Sequence, residues 1–397
     1  MSKSLEVGPV LLIANYRLDG QHSMARVADL LETGLRSRGA EVHAVRPEPL
    51  FGRFANGHRG IAKWLAYIDK YVLFPFSLMR RARRCALVHI VDQSNAIYLF
   101  WLRSAKVVVT CNDLLAVRSA LREIPEHRTG FTGRLLQKWI LAGLRHADHI
   151  VCISEATKLD VLRLTGKPEE KVSTIYLGLD PIFEADLQAR LNKTAAGAAE
   201  GLCNEGESAS SKTASANPSA LARSEPVDYV LHVGGDTWYK NRRGVLRIYL
   251  EIRRRLGSLA PNLIMVGPAL GPEIPGVQFL PEVTDPMLTD LYRNAALLLF
   301  PSLYEGFGWP VVEANACGCP AVISEIAPLI EAGGDAPVLI SDPRDIQNAA
   351  DRVIEVLSGD SHTRQRRREA GYENASRFSC RQMITQYVEL YASMTPE

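Results

Sequence analysis

The sequence lacks the features that define several large classes of protein. Its net charge at pH 7 is only +2 over 397 residues, so no overall excess of charge indicates a strongly acidic or basic partner. No apolar run approaches the roughly 18 residues that are typical of a membrane-spanning helix. The apolar stretch 7–14 is followed at once by polar residues, which favours a buried first strand over a signal peptide.

The chain also lacks motifs for metals and cofactors. Its seven cysteines are scattered and odd in number, which favours a reducing, cytoplasmic setting over a disulfide framework. Cys317 and Cys319 have no second pair at zinc-binding spacing, and no Asp-x-Asp is present to hold a metal on a diphosphate. No Gly-x-Gly-x-x-Gly fingerprint of a dinucleotide site follows the first predicted strand. We therefore expect neither a metal nor a resident cofactor.

What is present is a regular alternation of apolar runs and amphipathic helical patterns. Strands are predicted at 9–16, 41–45, 87–91, 106–110, 149–153 and 171–176, and then from 229 and at 263–266, 277–280, 297–300 and 338–340. Strands that alternate with helices are typical of the α/β class with parallel sheets. The sequence therefore predicts one doubly wound sheet in each half.

The composition changes between residues 185 and 226, where aromatic residues vanish and Ala, Ser, Gly, Asn and Glu dominate. Such a segment cannot bury enough apolar surface to offset its ordering entropy. We predict a flexible linker or an insertion over 185–226, between a first domain at 1–184 and a second at 227–376. A terminal helical segment follows at 377–397.

The most informative stretch is 296–324, which reads as strand, glycine-rich loop, helix and strand. In open parallel sheets ligands bind outside the carboxyl ends of strands, and a helix N-terminus attracts anions. Glu305 lies in the loop and Glu313 in the first turn of the helix, which predicts an anion site beside two carboxylates. The plainer alternative is a surface residue at 305 and a solvated helix residue at 313, because lone charges are mostly exposed.

A second glycine turn follows the strand that begins at 229. Gly234 and Gly235 let a phosphate approach the backbone, and Lys240 supplies a positive charge. The plainer alternative here is a tight turn with a surface lysine.

The segment Glu305-Gly-Phe-Gly-Trp-Pro-Val-Val-Glu313 resembles the Glu-x7-Glu signature of glycosyltransferase family 4. Members of that family are retaining, nucleotide-sugar-dependent enzymes with the GT-B fold. The resemblance is strong over 227–345 and weaker over 1–184. It implies two Rossmann-like domains facing a central cleft. It also implies transfer of a sugar from a nucleotide-diphosphate sugar to an acceptor hydroxyl.

The resemblance further implies roles for particular residues. Glu305 would face the donor sugar as a catalytic residue, Glu313 would hold the nucleotide ribose, and Lys240 would bind the diphosphate and assist its departure. The arginine that members usually carry in this turn is replaced by Gly235, so Arg242 or Arg243 would compensate. The implied donor-binding set is Gly234, Gly235, Lys240, Asn241, Arg243, Gly306, Phe307, Gly308 and Glu313.

On the acceptor side, the resemblance implies Asp19 and Gly20 in the first loop, and Asn112 and Asp113 at a strand end. Asn112 stands where many members have a histidine. An amide cannot act as a base, but it can hydrogen-bond a sugar hydroxyl.

An aromatic segment with a basic end lies at 60–84. Its aromatic and basic residues are Trp64, Tyr67, Tyr71, Phe74, Phe76, Arg80, Arg81, Arg83 and Arg84. Aromatic residues beside a basic cluster favour contact with a membrane or a lipid-linked acceptor. The alternative is a core-facing helix with a solvated basic end, broken at Pro75. One basic cluster without a recognised motif does not predict a nucleic-acid partner.

The predicted partners are therefore a nucleotide-diphosphate sugar and a sugar or lipid-linked acceptor. We expect polysaccharide or glycolipid assembly in the cytoplasm, at the inner face of a membrane. A GT-B epimerase or phosphorylase remains a rival. A catalytically inactive nucleotide-sugar binder is a second rival, because function depends on site residues and Asn112 and Gly235 depart from the family pattern.

Overall fold

The computed structural model describes residues 8–20, 22–54, 61–102, 105–203 and 229–395. It divides into two compact units. The first contains the described residues up to Gly178, together with Glu305–Phe307 and the chain from Phe378 onward. The second contains Leu179–Tyr304 and Gly308–Arg377. Each unit has its own sheet and its own apolar core.

The first unit is built on a six-stranded parallel sheet in the order β2-β1-β3-β4-β5-β6. Its strands are β1 (Val10–Ile13), β2 (Val42–Val45), β3 (Leu87–Ile90), β4 (Lys106–Cys111), β5 (His149–Cys152) and β6 (Val172–Thr174). β1 and β3 are buried along their whole length, as expected of apolar strands covered on both faces. The strand order reverses between β1 and β3, which is where such sheets bind ligands.

Helices connect these strands. They are α1 (His22–Ser37), α2 (Ile61–Ile68), α3 (Phe74–Ala82), α4 (Leu115–Ala120), α5 (Phe131–Leu144) and α6 (Glu155–Thr165). Short 3-10 segments lie at Arg17–Asp19, Gly52–Phe54, Gln93–Trp101 and Glu169–Lys171. None of the helices in the described ranges is long and apolar enough to cross a bilayer.

The break predicted at Pro75 is wrong. α2 continues through one π-helical turn, Asp69–Leu73, directly into α3. Pro75 therefore lies in the first turn of α3, where its missing N–H and fixed φ cost little. Phe74 packs inward at 5.2 Å between ring centroids from Tyr98. Residue 60 of the predicted segment lies outside the described residues.

The second unit has another six-stranded parallel sheet, in the order β12-β11-β10-β7-β8-β9. Its strands are β7 (Tyr229–Val233), β8 (Asn262–Val266), β9 (Val277–Leu280), β10 (Leu297–Phe300), β11 (Ala321–Ser324) and β12 (Val338–Ile340). Its helices are α7 (Pro181–Cys203), α8 (Arg242–Leu256), α9 (Asp285–Asn294), α10 (Trp309–Ala316), α11 (Ala327–Gly333), α12 (Ile346–Leu357) and α13 (Ser361–Ala375). Both sheets confirm the predicted α/β, doubly wound class.

Helix α7 differs from the sequence prediction. It continues to Cys203, so the segment predicted as a flexible linker from residue 185 begins inside a helix. Alanine, which suggested a linker by composition, is also the best helix former. Leu187 is buried, and Asp186 forms ion pairs with Arg190 at 2.9 Å and Arg293 at 2.8 Å. The remainder of the predicted linker, 204–226, lies outside the described residues.

The terminal helix α14 (Cys380–Met394) belongs to the first unit and closes a buried polar network there. His89 of β3 bonds to Tyr391 through Nδ1 at 2.6 Å and to Thr110 through Nε2 at 2.8 Å. Thr110 in turn bonds to the hydroxyl of Tyr387 at 2.9 Å. Every member is fully buried, so the helix is held by polar bonds as well as apolar contacts.

Acid should therefore weaken the first unit through His89. Burial lowers the pKa of His89 to about 3, against about 6.5 in an unfolded chain. The unfolded chain takes up a proton between these values and the folded unit does not. This contribution to stability is thus intact above about pH 6.5 and is lost as the pH falls toward 3, by up to about 1.4 kcal/mol per pH unit.

Urea unfolding measured from about pH 7 to 4.5 tests this expectation. His89→Gln should flatten the fall in unfolding free energy with acid. The matched control is His43→Gln, which removes an exposed imidazole from β2. Equal slopes for His89→Gln and the wild type would contradict the assignment.

Candidate active site

Buried polar groups without partners gather at the carboxyl edge of the second sheet. Ser324 ends β11, Ser302 follows β10, His232 lies near the end of β7, and Arg242 begins α8 just beyond it. The hydroxyls of both serines, Nε2 of His232 and all three guanidinium nitrogens of Arg242 have no hydrogen-bond partner among the described residues. Because a buried polar group without a partner costs free energy, this edge is built to be completed by a ligand.

Arg242 is the residue at this edge that most needs a ligand as its partner. Its side chain is only 4% exposed, and burial lowers the pKa of the guanidinium against the opposing pull of Asp236. A Cβ added at Gly267 would lie 3.2 Å from Nη2, so the glycine after β8 makes the room that the guanidinium occupies. A guanidinium has five donors and no acceptor, and it stays charged at neutral pH. Its missing partner is therefore an anion.

His232 lies beside the same space. Its Nδ1 bonds to the carbonyl oxygen of Leu299 at 2.9 Å, and because a carbonyl can only accept, Nδ1 carries the proton. Burial lowers the pKa of His232 to about 4, with the cations Arg242 and Lys240 acting in the same direction. The ring is therefore neutral at pH 7, and Nε2 presents a lone pair. This residue was missed from the sequence, although a histidine inside an otherwise apolar strand before a glycine turn was a usable signal.

The glycine turn brings Lys240 close to this histidine. Nζ of Lys240 lies 4.8 Å from the ring centroid of Phe300, on which His232 also stacks at 6.1 Å. A Cβ at Gly234 would lie 3.0 Å from Nε2 of His232 and 3.6 Å from Cβ of Lys240. The predicted lysine and glycine therefore lie close together. Lys240 and Arg242 are both close enough to His232 to affect its pKa.

The other predicted residues of this turn have different surroundings. A Cβ at Gly235 would meet nothing within 4 Å, so the position has room for a side chain. Arg243 is exposed, whereas its neighbour Arg242 is buried. Asn241 has a left-handed backbone with φ of 53°, and its Nδ2 donates to the carbonyl oxygens of Pro301 at 2.9 Å and Pro343 at 3.4 Å. Its amide therefore fixes the start of α8.

Glu313 is buried rather than solvated. Its side chain lies in α10, only 3% of the residue is exposed, and Oε2 accepts a hydrogen bond from the hydroxyl of Tyr292 at 3.0 Å. The tyrosine holds the carboxylate in one orientation. The alternative of a solvated helix residue is therefore wrong for Glu313.

The loop that carries Glu305 is fixed by its neighbours in the first unit. The carbonyl oxygen of Gly306 accepts hydrogen bonds from Oγ of Ser154 at 2.7 Å and Oγ1 of Thr157 at 3.3 Å. A Cβ at Gly306 would lie 2.1 Å from the carbonyl oxygen of Asn112, so only glycine fits. Glu305 itself is half-buried.

The next two positions set the path of the chain into α10. The ring of Phe307 stacks on Tyr176 at 6.2 Å and meets Phe378 edge-on at 5.4 Å. Phe307 can therefore offer a ligand only its backbone. Gly308 has φ of 131° and no room for a Cβ, which would lie 2.7 Å from Leu329, so glycine is required at the start of α10.

Asn112 presents a free acceptor at the edge of the first sheet. It follows β4 and is 5% exposed. Its Nδ2 faces two acceptors, Oε1 of Gln93 at 3.4 Å and the carbonyl oxygen of Val91 at 3.5 Å, which fixes the orientation of the amide. Oδ1 then points away without a partner among the described residues. The neighbouring Asp113 is used locally, since its Oδ1 accepts from the N–H of Leu115 at 2.9 Å.

The first loop is organised by an ion pair. The carboxylate of Asp19 lies 2.6 Å from Nζ of Lys70, so its charge is already balanced. Gly20 has φ of 65° and ends the short 3-10 turn. In the part of the chain that the structure describes, no three His, Cys, Asp or Glu side chains converge as a metal site would need.

The chain is an α/β protein with two doubly wound sheets, one of which carries a buried guanidinium without a hydrogen-bond partner among the described residues at its carboxyl edge. Comparisons with known proteins identify the family. A family model described as Glycosyltransferase Family 4 matches residues 24–183, and one described as Glycosyl transferases group 1 matches 220–374. The chain therefore belongs to the glycosyltransferases of family 4 and has their GT-B fold. It is a transferase that uses nucleotide-sugar donors.

Individual relatives agree with this family. The chain is 26% identical over 308 residues to the O-antigen chain mannosyltransferase B of Escherichia coli, a match that covers 73% of this chain and 71% of that protein. It is 38% identical over 105 residues to the D-inositol 3-phosphate glycosyltransferase of Mycolicibacterium smegmatis. This second match covers 26% of this chain and 23% of that protein.

Solved structures share the fold. Sucrose-phosphate synthase from Thermosynechococcus elongatus aligns with a TM-score of 0.67 at 17% identity, covering 97% of this chain and 98% of that one. Anabaena HepE in complex with UDP and glucose aligns with a TM-score of 0.63 at 18% identity, covering 97% of this chain and 99% of that one. At these identities the likeness concerns the fold alone.

The buried guanidinium of Arg242 should lower the stability of the unliganded protein, because it has no hydrogen-bond partner among the described residues. Arg242→Gln is expected to raise the free energy of unfolding, on the order of 1 kcal/mol, because it removes a desolvated charge. Arg243→Gln, on the exposed neighbour in the same helix, should leave it unchanged. Thermal unfolding without ligand measures both. A destabilised Arg242→Gln protein would mean that the guanidinium has a structural role.

The substitution that stabilises the unliganded protein should lower its turnover. Arg242→Gln is expected to lower turnover of a nucleotide sugar about 100-fold, because a charge that faces the leaving group is lost. Gly235→Arg has room for its side chain and should restore part of this loss in the Arg242→Gln background. If the double variant is no more active than Arg242→Gln, a guanidinium from position 235 does not reach the same ligand.

Proposed function

We propose that the chain transfers a sugar from a nucleotide-diphosphate sugar to an acceptor hydroxyl with retention of configuration. The observation that carries this proposal is the buried guanidinium of Arg242, whose three nitrogens have no hydrogen-bond partner among the described residues and which acts on His232 together with Lys240. A diphosphate would supply acceptor oxygens for this guanidinium and negative charge close to Lys240. No resident metal is needed in this scheme, because protein cations balance the leaving group.

The donor would lie along the carboxyl edge of the second sheet. Arg242 and Lys240 hold the diphosphate, and the backbone at Gly235 and at the start of α10 adds N–H donors. Glu313, oriented by Tyr292, accepts hydrogen bonds from the ribose hydroxyls. The hydroxyls of Ser302 and Ser324 offer further bonds at the same edge.

The chemical step then balances without a protein base. The bond from the anomeric carbon to the diphosphate oxygen breaks, and the bond to the acceptor oxygen forms on the same face of the sugar. The acceptor's proton passes to the departing phosphate oxygen. Glu305 stabilises the positive charge that develops on the sugar, while Arg242 and Lys240 stabilise the negative charge on the leaving group. Asn112, an amide, accepts a hydrogen bond from a sugar hydroxyl and takes no proton.

The names of two relatives support a proposal for the biological setting. One relative is an O-antigen chain mannosyltransferase and another a D-inositol 3-phosphate glycosyltransferase. These names favour assembly of a polysaccharide or glycolipid, and hence work at the cytoplasmic face of a membrane.

Three variants should fail in different ways. Glu305→Gln keeps the shape and removes a charge needed most in the transition state, so turnover should fall about 100-fold or more with little change in donor affinity. Glu313→Gln should mainly weaken donor binding, by about 1–3 kcal/mol. Lys240→Ala should lower both, because the diphosphate is charged before and after departure. Calorimetric titration and steady-state turnover measure the two quantities.

The same three variants distinguish the proposed transferase from the rival functions. An inactive nucleotide-sugar binder needs the cations and Glu313 but not Glu305, and it releases no nucleoside diphosphate from any donor. An epimerase or phosphorylase forms a product without a new glycosidic bond to an acceptor hydroxyl. Proton NMR of the first-formed product reads its anomeric configuration, and an inverted anomer would refute retention.

Membrane contact through the 60–84 segment is proposed from a second observation. Apolar residues recur every four positions along the continuous helix and remain exposed: Trp64 by 63%, Ile68 by 38%, Val72 by 51% and Phe76 by 67%. The opposite face packs into the core of the first unit. An exposed apolar stripe that leads into a basic end is typical of a helix lying on an anionic bilayer.

Vesicle flotation tests this contact. The protein should float with anionic vesicles and less with neutral ones. Replacing Arg80, Arg81, Arg83 and Arg84 by Gln should weaken binding, by about 1 kcal/mol for each residue that lies near the surface. Trp64→Ser with Phe76→Ser should weaken it without changing charge. Wild-type protein that stays at the bottom of the gradient would end this proposal.

A further inference from the structure

A cavity of about 470 Å³ lies in the first unit beside the carboxyl ends of β1 and β2. Arg17 follows β1, Arg46 follows β2, and Arg81 reaches it from α3. Its apolar lining includes Leu50, Leu73 and Phe74. No role in the proposed donor chemistry falls on any of these residues, and all of them belong to one unit.

The cavity carries more usable positive than negative charge. Three acids also line it, but two are already bonded. Glu32 pairs with Arg36 at 2.8 Å. Both carboxylate oxygens of Asp69 accept bonds, from the Tyr16 hydroxyl at 2.9 Å and from backbone N–H groups at 51 and 52 at 3.0 and 2.8 Å. These partners of Asp69 are neutral, so its carboxylate keeps its charge, and Asp69 and Glu48 together offset two of the three arginines.

The arginines themselves are weakly engaged. Within the described residues, Arg17 and Arg81 form no ion pair, and Arg46 reaches only Asp29, at 3.7 Å. Three guanidinium groups against the carboxylates of Glu48 and Asp69 leave the cavity with a net positive charge, which attracts an anion. Guanidinium forks match the oxygen geometry of phosphate, which distinguishes this lining from a lysine surface.

The exposed part of the cavity lining contains apolar as well as charged side chains. Leu50 is 50% exposed, and Leu73 is 36% exposed and lies in the π-helical turn, next to Val72 of the exposed stripe. Leu73 of the cavity lining is thus a chain neighbour of the apolar stripe proposed above to touch a bilayer. A ligand with an anionic head and an apolar tail would satisfy both parts at once.

We propose that this cavity binds the phosphate or diphosphate group of an amphipathic acceptor, with the apolar chain along Leu50 and Leu73. The proposal rests on the proposed function only in taking the occupant to be the acceptor. Arg17, Arg46 and Arg81 recognise the phosphate oxygens, and the leucines select an amphiphile over a soluble phosphate. The acceptor would be held by its lipid-linked end.

Binding of short-chain probes below their micellar concentration tests this assignment. The probes are decyl phosphate, inorganic pyrophosphate and decyl glucoside, each titrated calorimetrically into the full-length protein. Decyl phosphate should bind at least about tenfold more tightly than either of the others, since only it engages arginines and leucines together. Arg17→Gln with Arg81→Gln should weaken it by about tenfold or more.

Matched controls lie on the same chain segment. Arg83→Gln with Arg84→Gln removes the same charge from the end of α3 without touching the cavity lining, and should leave decyl phosphate affinity within about twofold. Leu73→Ser alone should weaken decyl phosphate and leave pyrophosphate unchanged. The Leu73→Ser variant tests the proposal independently if the double arginine variant fails to fold.

Each contrary outcome overturns the proposal. Pyrophosphate binding as tightly as decyl phosphate would make this a soluble-anion site. Decyl glucoside binding as tightly would make it a simple apolar groove. Equal losses from the cavity and control arginines would reduce it to a surface charge effect. Binding of nucleoside diphosphates is measured on the same samples, so a failure of the donor site is seen separately.

Discussion

The second unit depends on one unfavourable interaction, the burial of the Arg242 guanidinium at the start of α8 without a hydrogen-bond partner among the described residues. A guanidinium buried without an acceptor destabilises the unliganded protein, so it persists only because a bound anion repays that cost. The surrounding residues keep it in place rather than neutralise it. Asn241 locks the first turn of the helix, and Gly267 leaves the space that the side chain fills. Under the proposed function, the cation that binds the diphosphate is therefore in position before the donor arrives.

The scaffold explains why the charge lies where it does. Every strand of the second sheet runs in the same direction, so the strand ends, the glycine turn and the start of α10 share one edge. Close packing fixes the loops there. Glycine is required at 306 and 308 because any Cβ would clash with neighbouring atoms. Tyr292 holds Glu313, and Phe307 is bound by aromatic neighbours, so these loops need little reordering when a ligand binds.

Much of this could be predicted from the sequence, because parallel strands are continuous apolar runs and the Glu-x7-Glu segment is long and specific. What failed depended on three-dimensional context. Arg242 is buried and Arg243 is exposed because the two residues face different sides of α8. Two adjacent arginines in a sequence do not reveal which of them will face the core. Pro75 suggested a break that the π-helical turn removes. The alanine-rich start of the predicted linker folds as helix because Leu187 and Asp186 anchor it.

The central claim is that the buried guanidinium of Arg242, together with Lys240, binds the diphosphate of a nucleotide sugar. Calorimetric titration of UDP and GDP, each beside its parent nucleoside, measures what the two phosphates add to binding. For the preferred base, the account predicts that the diphosphate binds about 100-fold or more tightly than the nucleoside. Most of that difference should vanish in Arg242→Gln and remain in Arg243→Gln. A difference that is absent in the wild type, or unchanged in Arg242→Gln, would contradict the account.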